Sequence, residues 1–329
     1  MPNSLSNILS PVKHEAGEFN RRFKRSMLST VPLVNLIAKY LVRTKGKQIR
    51  PMLVLLSAQA CGGVTDATYR AAMLVELLHT ATLVHDDVID EADTRRGLAS
   101  IRALWRNKAG VLMGDYLLAK GLLLTVETNE YHFLEITSTA VRRMSEGELY
   151  QLQKSRQLNI DESSYFRLIA DKTASLLATC CEIGAASVLP KGENATQREM
   201  LRTYGEAIGI AFQIRDDLFD YEKSSGIIGK PVGNDLKDKK LTLPLIHSLS
   251  TLDPKEERRI RALIKSGKAS EGERRLIMNL VEATGGLTYA RNKAQEYSEA
   301  ARKVIESLPD SAAKKSLIDF SYFVIEREK

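Results

Sequence analysis

The chain has 329 residues, of which 43% are hydrophobic and 27% charged, and its 48 basic against 41 acidic side chains give a formal net charge of +7. This composition is typical of a folded globular protein and excludes an intrinsically disordered one. No apolar run approaches the roughly 20 residues that a bilayer-spanning helix needs, and Met1 to Glu18 contain no apolar signal-peptide core. We therefore expect no transmembrane segment.

Cysteine usage and the distribution of charge narrow the class further. Cys61, Cys180 and Cys181 form no Cys-x-x-Cys pair and leave an odd count, which favours a reduced, cytoplasmic location. The basic residues are spread along the chain and belong to no recognisable nucleic-acid module. We expect no nucleic-acid partner, and an anionic small substrate accounts equally well for part of the positive charge.

Helical periodicity recurs along the chain, whereas alternating β-branched runs and Asn-Gly or Asp-Gly turns are nearly absent. The predicted helices cover residues 33–42, 51–60, 68–90, 111–127, 131–153, 163–188, 198–221 and 243–248, and most of the C-terminal third. Glycine and proline breakers separate them, and no stretch has the composition of a linker. The sequence predicts one all-α domain over residues 1–329, in which residues 1–20 are an N-terminal extension that need not be well ordered.

Two aspartate clusters of the form D-D-x-x-D stand within apolar helical patterns, one from Asp86 to Asp90 and one from Asp216 to Asp220. Residues i and i+4 share one face of a helix, so each cluster projects a pair of carboxylates that repel each other. A cation would relieve this repulsion. Hard oxygen ligands favour Mg²⁺ or Mn²⁺, and Mg²⁺ usually completes its shell with water and substrate phosphates. The clusters therefore predict metal-assisted diphosphate chemistry.

Basic residues and a histidine lie close to the first cluster. His79 precedes Asp86 by seven residues and falls on the same helix face, at about 100° per residue. Arg95 and Arg96 follow the cluster, and their guanidinium groups could each form bidentate hydrogen bonds with phosphate oxygens. A histidine of the core and a solvated basic helix end are the alternative interpretations. The neighbouring aspartates favour a role in binding.

A second basic cluster, with Lys47 and Arg50, precedes Pro51 and the helix that follows it. Helix N-termini bind anions, and the two cationic side chains would add to that attraction. A plain surface loop is the alternative. Neither this segment nor the one around Lys230 contains the Gly-x-x-x-x-Gly-Lys-Ser/Thr pattern, so ATP is not indicated.

Three further lysines are candidate phosphate ligands. Residues 222–240 are polar and glycine-rich and could form a loop that closes over the metals, from which Lys230 and Lys240 would reach a phosphate. Lys172 interrupts an apolar helical pattern, and it needs either a snorkelling route to water or an anionic partner. The sequence leaves these two possibilities open.

These segments resemble the motifs of one family. Residues 85–97 are similar to the first aspartate-rich motif of the trans-isoprenyl diphosphate synthases, and residues 212–220 to the second. The segments 46–51, 172–173, 229–231 and 240–244 follow in that family's order. The resemblance runs from about residue 20 to the end. It implies an isoprenoid-synthase-type helical bundle around a central cavity, commonly assembled as a homodimer.

The resemblance also implies roles for individual residues. Three Mg²⁺ ions (Mn²⁺ being possible) would be held between Asp86 and Asp90 on one side and Asp216 and Asp220 on the other, with Asp220 acting through water. They would bind an allylic diphosphate such as geranyl or farnesyl diphosphate. Its further ligands would be Arg95, Lys172, Lys230 and Lys240, with Thr173 and Gln213 also binding substrate. The ligands of isopentenyl diphosphate would be Lys47, Arg50, His79 and Arg96.

The reaction that follows needs no protein nucleophile. Metals and cations stabilise the departing diphosphate, so that the C–O bond ionises to an allylic cation. The double bond of isopentenyl diphosphate then attacks this cation, and the released diphosphate takes the final proton.

Product length depends on residues upstream of Asp86, each helical turn being about 5.4 Å deeper in the expected tunnel. Short-chain members of the family typically place an aromatic side chain four or five residues before the motif, where this chain has Thr82 and Ala81. Leu78 and Val75 lie deeper still. We therefore expect a long product, hexaprenyl or longer and in the octaprenyl range, with a floor formed by residues such as Leu118 and Leu122. Such a product would bring the protein into transient contact with a bilayer surface.

Four alternatives remain at this stage. A shorter-chain farnesyl or geranylgeranyl diphosphate synthase would share all the motifs. A class I terpene cyclase also ionises an allylic diphosphate, but usually has an Asn/Ser/Glu second motif and no second diphosphate site. A regulatory subunit of a heteromeric synthase would have degraded aspartate motifs. In a plain helical interaction protein the motifs would be accidental.

Overall fold

The computed structural model describes residues 4–44, 46–157, 160–189, 195–222, 240–267 and 269–327. Within these ranges the backbone is almost entirely helical, which confirms the all-α prediction. The helices are α1 (Leu5–Ile8), α2 (Lys13–Ser26), α3 (Pro32–Arg43), α4 (Ile49–Ala60), α5 (Asp66–Ile89), α6 (Ile101–Val126), α7 (Tyr131–Gln157), α8 (Glu162–Ile169), α9 (Ser175–Ala186), α10 (Ala195–Glu222), α11 (Leu243–Ser250), α12 (Pro254–Ser266), α13 (Glu271–Ala283), α14 (Gly286–Val304) and α15 (Ala312–Glu326).

Three short elements interrupt this pattern. A 3₁₀ turn (Ser10–Val12) joins α1 to α2, and a π-helix (Ala170–Ala174) joins α8 to α9 without a loop. An antiparallel hairpin of β1 (Thr94–Arg95) and β2 (Leu98–Ala99) pairs Arg95 with Leu98 between α5 and α6. The sequence analysis predicted neither the hairpin nor the π-helix.

Local sequence signals set several helix starts. Thr65 and Thr68 form a reciprocal capping box at the start of α5, which satisfies backbone N–H groups that have no partner within the helix. Ser100 is the N-cap of α6, and its hydroxyl oxygen accepts from the backbone N–H of Ala103. Asp253 accepts from the backbone of α12, whose first residue is Pro254, as expected from the fixed φ of proline. The two long helices next to the hairpin thus have defined beginnings.

Helix α5 lies at the centre of the larger core and packs extensively on α6, α4 and α9. Leu74 and Leu77 are fully buried in it. Close approach of α6 depends on Gly114, where an added Cβ would lie 2.1 Å from His85 Nε2. Helix α10 packs on α9 and α14 and joins a second core around α11 and α12. The two aspartate clusters therefore lie on the two helices that organise the two cores.

Residues 4–26, which the sequence analysis treated mostly as an N-terminal extension, carry buried side chains. Ile8, Val12 and Phe19 are each at most 1% exposed and belong to the larger core. Helix α2 packs on α4 and α5. These residues thus take part in the packing around the helix that carries the first aspartate cluster.

By length and composition, one helix among the described residues could cross a membrane: α6, of whose most apolar window 33% is buried. This finding differs from the expectation that no segment is long and apolar enough. It is weak evidence for a membrane span, because core helices of soluble proteins meet the same criterion.

Candidate active site

The first aspartate cluster lies at the C-terminal end of α5. Asp86 is half-buried and Asp90, which caps the helix, is exposed. Asp87 points the other way: it is 3% exposed and accepts from Arg95 Nε at 2.6 Å. The middle aspartate therefore fixes the hairpin that carries Arg95, and the outer two are left as candidate metal ligands.

Burial and neighbouring charges act together on Asp86. Desolvation raises its pKa, the carboxylate of Glu148 raises it further, and the ammonium of Lys172 partly opposes both. A half-buried carboxylate beside other carboxylates favours a bound cation. These hard oxygen donors fit Mg²⁺.

The second cluster lies near the end of α10 and follows the same division of roles. Asp216 is half-buried and is paired with Arg327 Nη2 at 2.5 Å. Asp217 accepts from Tyr165 Oη at 2.7 Å and from Gln213 Nε2 at 2.8 Å. Asp217 is held by two groups of the protein, and Asp216 and the half-buried Asp220, which share one helix face, are the candidate metal ligands of α10.

A hydrogen-bond chain connects α10 to the π-helix. Thr173 Oγ1 donates to Gln213 Oε1 at 2.9 Å, and Gln213 Nε2 donates to Asp217. The amide of Gln213 is therefore held in one orientation. Lys172, the residue before Thr173, extends to α7. Its Nζ lies 2.7 Å from Glu148 Oε1 and 3.2 Å from Gln151 Oε1. Of the two possibilities that the sequence left open for Lys172, the structure shows an anionic partner.

A cavity of about 430 Å³ adjoins the first cluster on its other side. It is lined by the predicted basic residues and His79, together with Glu76 and Arg327; the predicted members are Lys47, Arg50, His79, Arg95 and Arg96. Gly46 allows this crowding, since an added Cβ would lie 2.6 Å from the Arg96 guanidinium. Lys47, Arg50, His79 and Arg96 are thus brought together as the sequence suggested, and Arg95, which the resemblance assigns to the allylic diphosphate, lines the same cavity.

His79 enters this cavity as a neutral imidazole. Burial lowers its pKa well below the usual value of 6.5, and the charges of Arg50, Arg96 and Arg95 lower it further. Arg50 Nη1 lies 3.0 Å from His79 Nε2. A guanidinium can only donate, so Nε2 accepts and the imidazole helps to orient Arg50.

Several buried donors in the cavity have no hydrogen-bond partner within the described part of the chain. They include Gln48 Nε2, Arg50 Nε and Arg327 Nε. Gln48 also has a positive φ of 50°, which is uncommon for a residue other than glycine. Because buried donors are nearly always paired in folded proteins, this group is suited to receive an anion with several oxygens.

Arg327 was not foreseen from the sequence. It follows α15, its guanidinium lies 3.8 Å from the centre of the Phe212 ring, and it reaches both Asp216 and the basic cavity. Burial lowers its pKa, while Asp216 acts in the opposite direction. Glu148, Gln151 and Tyr165 were missed as well. The spacing of Glu148 and Gln151 on one helix face was the available signal.

Two predicted phosphate ligands, Lys230 and Lys240, lie within or next to a segment that the structure does not describe. Lys240 is exposed, and Lys230 lies outside the described residues, as does the loop over residues 223–239. Among the residues that the structure covers, no three His, Cys, Asp or Glu side chains form a ready-made metal site. A Mg²⁺ ion bound by one or two carboxylates and completed by water and phosphate needs no such preformed cluster.

The four residues predicted to set product length fall into two pairs in the structure. Leu78 and Thr82 line a small cavity between α5, α7 and α9; its other residues are Thr137, Ala140, Val141, Met144, Leu176 and Thr179. Ala81 and Val75 are at most 2% exposed and belong to the larger core, not to this lining.

The structure differs from the expectation that Leu118 and Leu122 form the floor of the tunnel. Leu122 is 39% exposed, and Leu118 is only partly buried, against the larger core. Neither residue lines the small cavity. The cavity is walled by α5, α7 and α9.

Comparisons with known proteins agree with this site. The profile of the Polyprenyl synthetase family matches residues 31–281. The chain belongs to this family. It is 36% identical to an all-trans-nonaprenyl-diphosphate synthase (geranyl-diphosphate specific) of Rhodobacter capsulatus, with 98% of this chain and 97% of that protein covered. It is 35% identical to the octaprenyl diphosphate synthase of Escherichia coli, with 99% and 100% covered.

Solved structures of family members have the same fold. A decaprenyl diphosphate synthase from Rhodobacter capsulatus superposes with a TM-score of 0.91 at 35% identity, covering 98% of this chain and 99% of that one. A geranylgeranyl pyrophosphate synthase from Bacteroides thetaiotaomicron gives a TM-score of 0.82 at 36% identity, with 98% and 99% covered. Overall identity therefore does not separate long-chain from short-chain members of the family.

Proposed function

We propose that this protein is an all-trans polyprenyl diphosphate synthase, a prenyltransferase that condenses isopentenyl diphosphate onto an allylic diphosphate and makes a long product. One observation carries the proposal: the first aspartate cluster borders two different candidate anion sites, the second of which is lined by Asp87. On one side lie the outer carboxylates of α5 with Lys172, and on the other lies the cavity that contains Arg50 and His79. A terpene cyclase needs only the first of these sites.

In the first site, Asp86, Asp90, Asp216 and Asp220 would hold Mg²⁺, three ions by the family resemblance, and the metal would supply the charge that stabilises the departing diphosphate. The residues of the chain do the positioning. Lys172 approaches from the π-helix, and the Asp87 carboxylate holds Arg95 at the rim. Thr173 and Gln213 are hydrogen-bonded to each other beside the second aspartate cluster and would bind substrate there.

In the second site, the diphosphate of isopentenyl diphosphate would take up the unpaired donors of the basic cavity. Arg50 and Arg327 each offer a buried Nε, and Lys47 and Arg96 add charge. The neutral imidazole of His79 accepts a hydrogen bond from Arg50 and so orients it, and it adds no charge of its own to the cavity. Two separately held diphosphates bring the double bond to the allylic carbon, which turns a bimolecular step into an effectively unimolecular one.

The length of the product is supported by the absence of an aromatic side chain at Ala81 and Thr82 and by the long-chain relatives. The shorter-chain alternative is supported by the geranylgeranyl pyrophosphate synthase of similar identity. Ala81→Phe or Ala81→Tyr tests the tunnel, since a blocked tunnel should shorten the product. An unchanged ladder of products on thin-layer chromatography would contradict the assignment.

The assembly is proposed to be a homodimer. Helices α6 and α7 expose large apolar side chains, among them Leu112, Leu123, Leu149 and Leu152, which are 51–66% exposed. Exposed apolar patches of this kind mark interaction surfaces. Light scattering of the purified chain would give about twice the monomer mass, whereas a monomer would contradict the proposal.

We also propose a cytoplasmic location for the protein. The three cysteines are unpaired, and Cys180 and Cys181 are buried, as suits a reducing cytoplasm. A single domain, with transient contact to a bilayer when the long product leaves, completes this proposal.

Incubation with radiolabelled isopentenyl diphosphate, farnesyl or geranyl diphosphate and Mg²⁺, followed by mass spectrometry of the product, tests the proposed function. We expect the label in a polyprenyl diphosphate of hexaprenyl length or longer. A cyclase would incorporate no label. Asp86→Ala and Asp216→Ala should abolish turnover with the fold retained, and full activity of either variant would contradict the metal assignment.

A further inference from the structure

Glu148 on α7 has no role in the reaction derived so far, yet it lies at the first site. Its Oε1 is 2.7 Å from Lys172 Nζ, and Gln151, one turn further along α7, accepts from the same ammonium at 3.2 Å. Residues i and i+3 are neighbours on a helix surface. Two oxygens of α7 therefore hold the lysine that faces the first aspartate pair.

Close packing of α7 on the π-helix fixes this geometry. At Gly147 an added Cβ would lie 3.1 Å from Asp171 Cβ and 3.3 Å from the backbone nitrogen of Lys172. The glycine lets the two backbones approach and places Glu148 directly beside Lys172. The contact is thus determined by the backbone as well as by the charges.

Structural stability is a poor explanation for this pair. The side chains of Lys172 and Glu148 are 40% and 41% exposed, and ion pairs at such exposure contribute little to folding. Glu148 is close enough to the first aspartate pair to raise the pKa of Asp86 more than Asp90 does. A carboxylate in that place would repel a diphosphate unless its charge were matched, and Lys172 is the cation that it contacts.

We propose that Glu148 is a positioning residue that, together with Gln151, holds the Lys172 ammonium at the wall facing the diphosphate of the allylic substrate. The inference rests on the proposed function, because it takes the ligand of Lys172 to be that diphosphate. Without Glu148 the four-carbon stem of Lys172 is free to turn into solvent, and ordering it again opposes substrate binding. Loss of Glu148 should therefore weaken binding of the allylic substrate. It should leave the binding of isopentenyl diphosphate almost unchanged, because Glu148 does not line the basic cavity.

A double-mutant cycle tests this inference. Glu148→Ala, Lys172→Ala and the double variant are compared by KM for farnesyl diphosphate, KM for isopentenyl diphosphate, and calorimetric binding of a non-ionising thio analogue of farnesyl diphosphate with Mg²⁺. We expect Glu148→Ala to raise the farnesyl diphosphate KM and the analogue Kd about tenfold, with the isopentenyl diphosphate KM changed less than twofold. In the Lys172→Ala background the same substitution should have no further effect.

Two variants serve as controls. Glu148→Gln keeps an oxygen acceptor for Lys172 and should restore part of the lost affinity. Glu146→Ala removes an exposed carboxylate from the same helix, which is paired with Arg142 in the adjoining turn, and should leave every constant unchanged. Circular dichroism should show the same melting temperature for all single variants.

Several outcomes would overturn the inference. An unchanged farnesyl diphosphate KM in Glu148→Ala would do so, and so would an equal effect in the Lys172→Ala background, since Glu148 would then act on metal or diphosphate without the lysine. A wild-type chain that incorporates no labelled isopentenyl diphosphate would refute the proposed function instead. The two failures are therefore distinguishable.

Discussion

Replacing Arg327 by glutamine should change two properties of the enzyme in opposite directions. In the substrate-free structure its guanidinium is held by Asp216 at 2.5 Å and by the face of Phe212 at 3.8 Å, and its unpaired Nε lies in the basic cavity. We expect it to leave Asp216 when metal binds and to contact the diphosphate of isopentenyl diphosphate. Arg327→Gln would then weaken the second substrate but make Asp216 easier to load with metal.

The magnitude follows from the bonds that are exchanged. A hydrogen bond to a charged group contributes about 1.5–3 kcal/mol, and each 1.4 kcal/mol is about a tenfold change in affinity. Part of this gain is offset, because Arg327 must first give up its bond to Asp216. We therefore expect the KM for isopentenyl diphosphate to rise about tenfold, near the lower end of that range.

Label incorporation at varied isopentenyl diphosphate and at varied Mg²⁺ measures both effects. The Mg²⁺ concentration for half-maximal activity should fall in Arg327→Gln, and Mn²⁺ binding followed by electron paramagnetic resonance should tighten. Arg259→Gln, at a 79% exposed position on α12, is the matched control. A KM within twofold of wild type, or a higher Mg²⁺ requirement, would refute the exchange.

Three further predictions concern the product, the packing and the pH dependence. Thr82→Phe fills the small cavity beside α5 and should shorten the product, seen as a shift to shorter polyprenols on thin-layer chromatography; full-length product would contradict the lining. In Gly114→Ala the added Cβ would collide with the ring of His85, which should lower the free energy of unfolding by about 1–3 kcal/mol. Gly17→Ala is the control: nothing lies within 4 Å of its added Cβ, and it should be neutral or slightly stabilising. Equal denaturation midpoints for the two variants would contradict this expectation. The pKa of His79 is lower in the folded chain than in the unfolded one, so the unfolded chain binds more protons and the free energy of unfolding decreases as the pH falls below about 6.5. In urea titrations, His79→Gln should therefore lose less stability than wild type between about pH 7 and pH 5. Parallel losses in the two proteins would contradict the neutral state of His79.

What could be predicted from sequence was determined by local spacing. The interval between Asp86 and Asp90 places both on one helix face whatever the rest of the fold does, and His79 follows from the same periodicity. The all-α class followed from the same pattern. Each of these inferences needs only the geometry of one helix.

What was missed depends on contacts between distant parts of the chain. Arg327 lies 111 residues from Asp216, and no local pattern marks it as the partner. The buried contact of Asp87 with Arg95 depends on the hairpin that returns Arg95 to α5, and the lining of the small cavity depends on how α7 and α9 pack on α5. Lys230 lies outside the described residues, so its assignment stays a prediction.

The π-helix between α8 and α9 has a consequence for the phase of the two helices that it joins. Upstream, Tyr165 is fixed by Asp217; downstream, Leu177 and Cys180 are at most 3% exposed. Each residue of an α-helix turns the chain by about 100°, so deleting one residue here would restore regular α geometry only by rotating one of these faces out of its partner. The extra residue lets Lys172 lean into the site while both neighbours keep their buried sides. A single-residue deletion in this segment should therefore damage the fold more than any substitution within it, and homologous enzymes should keep its length.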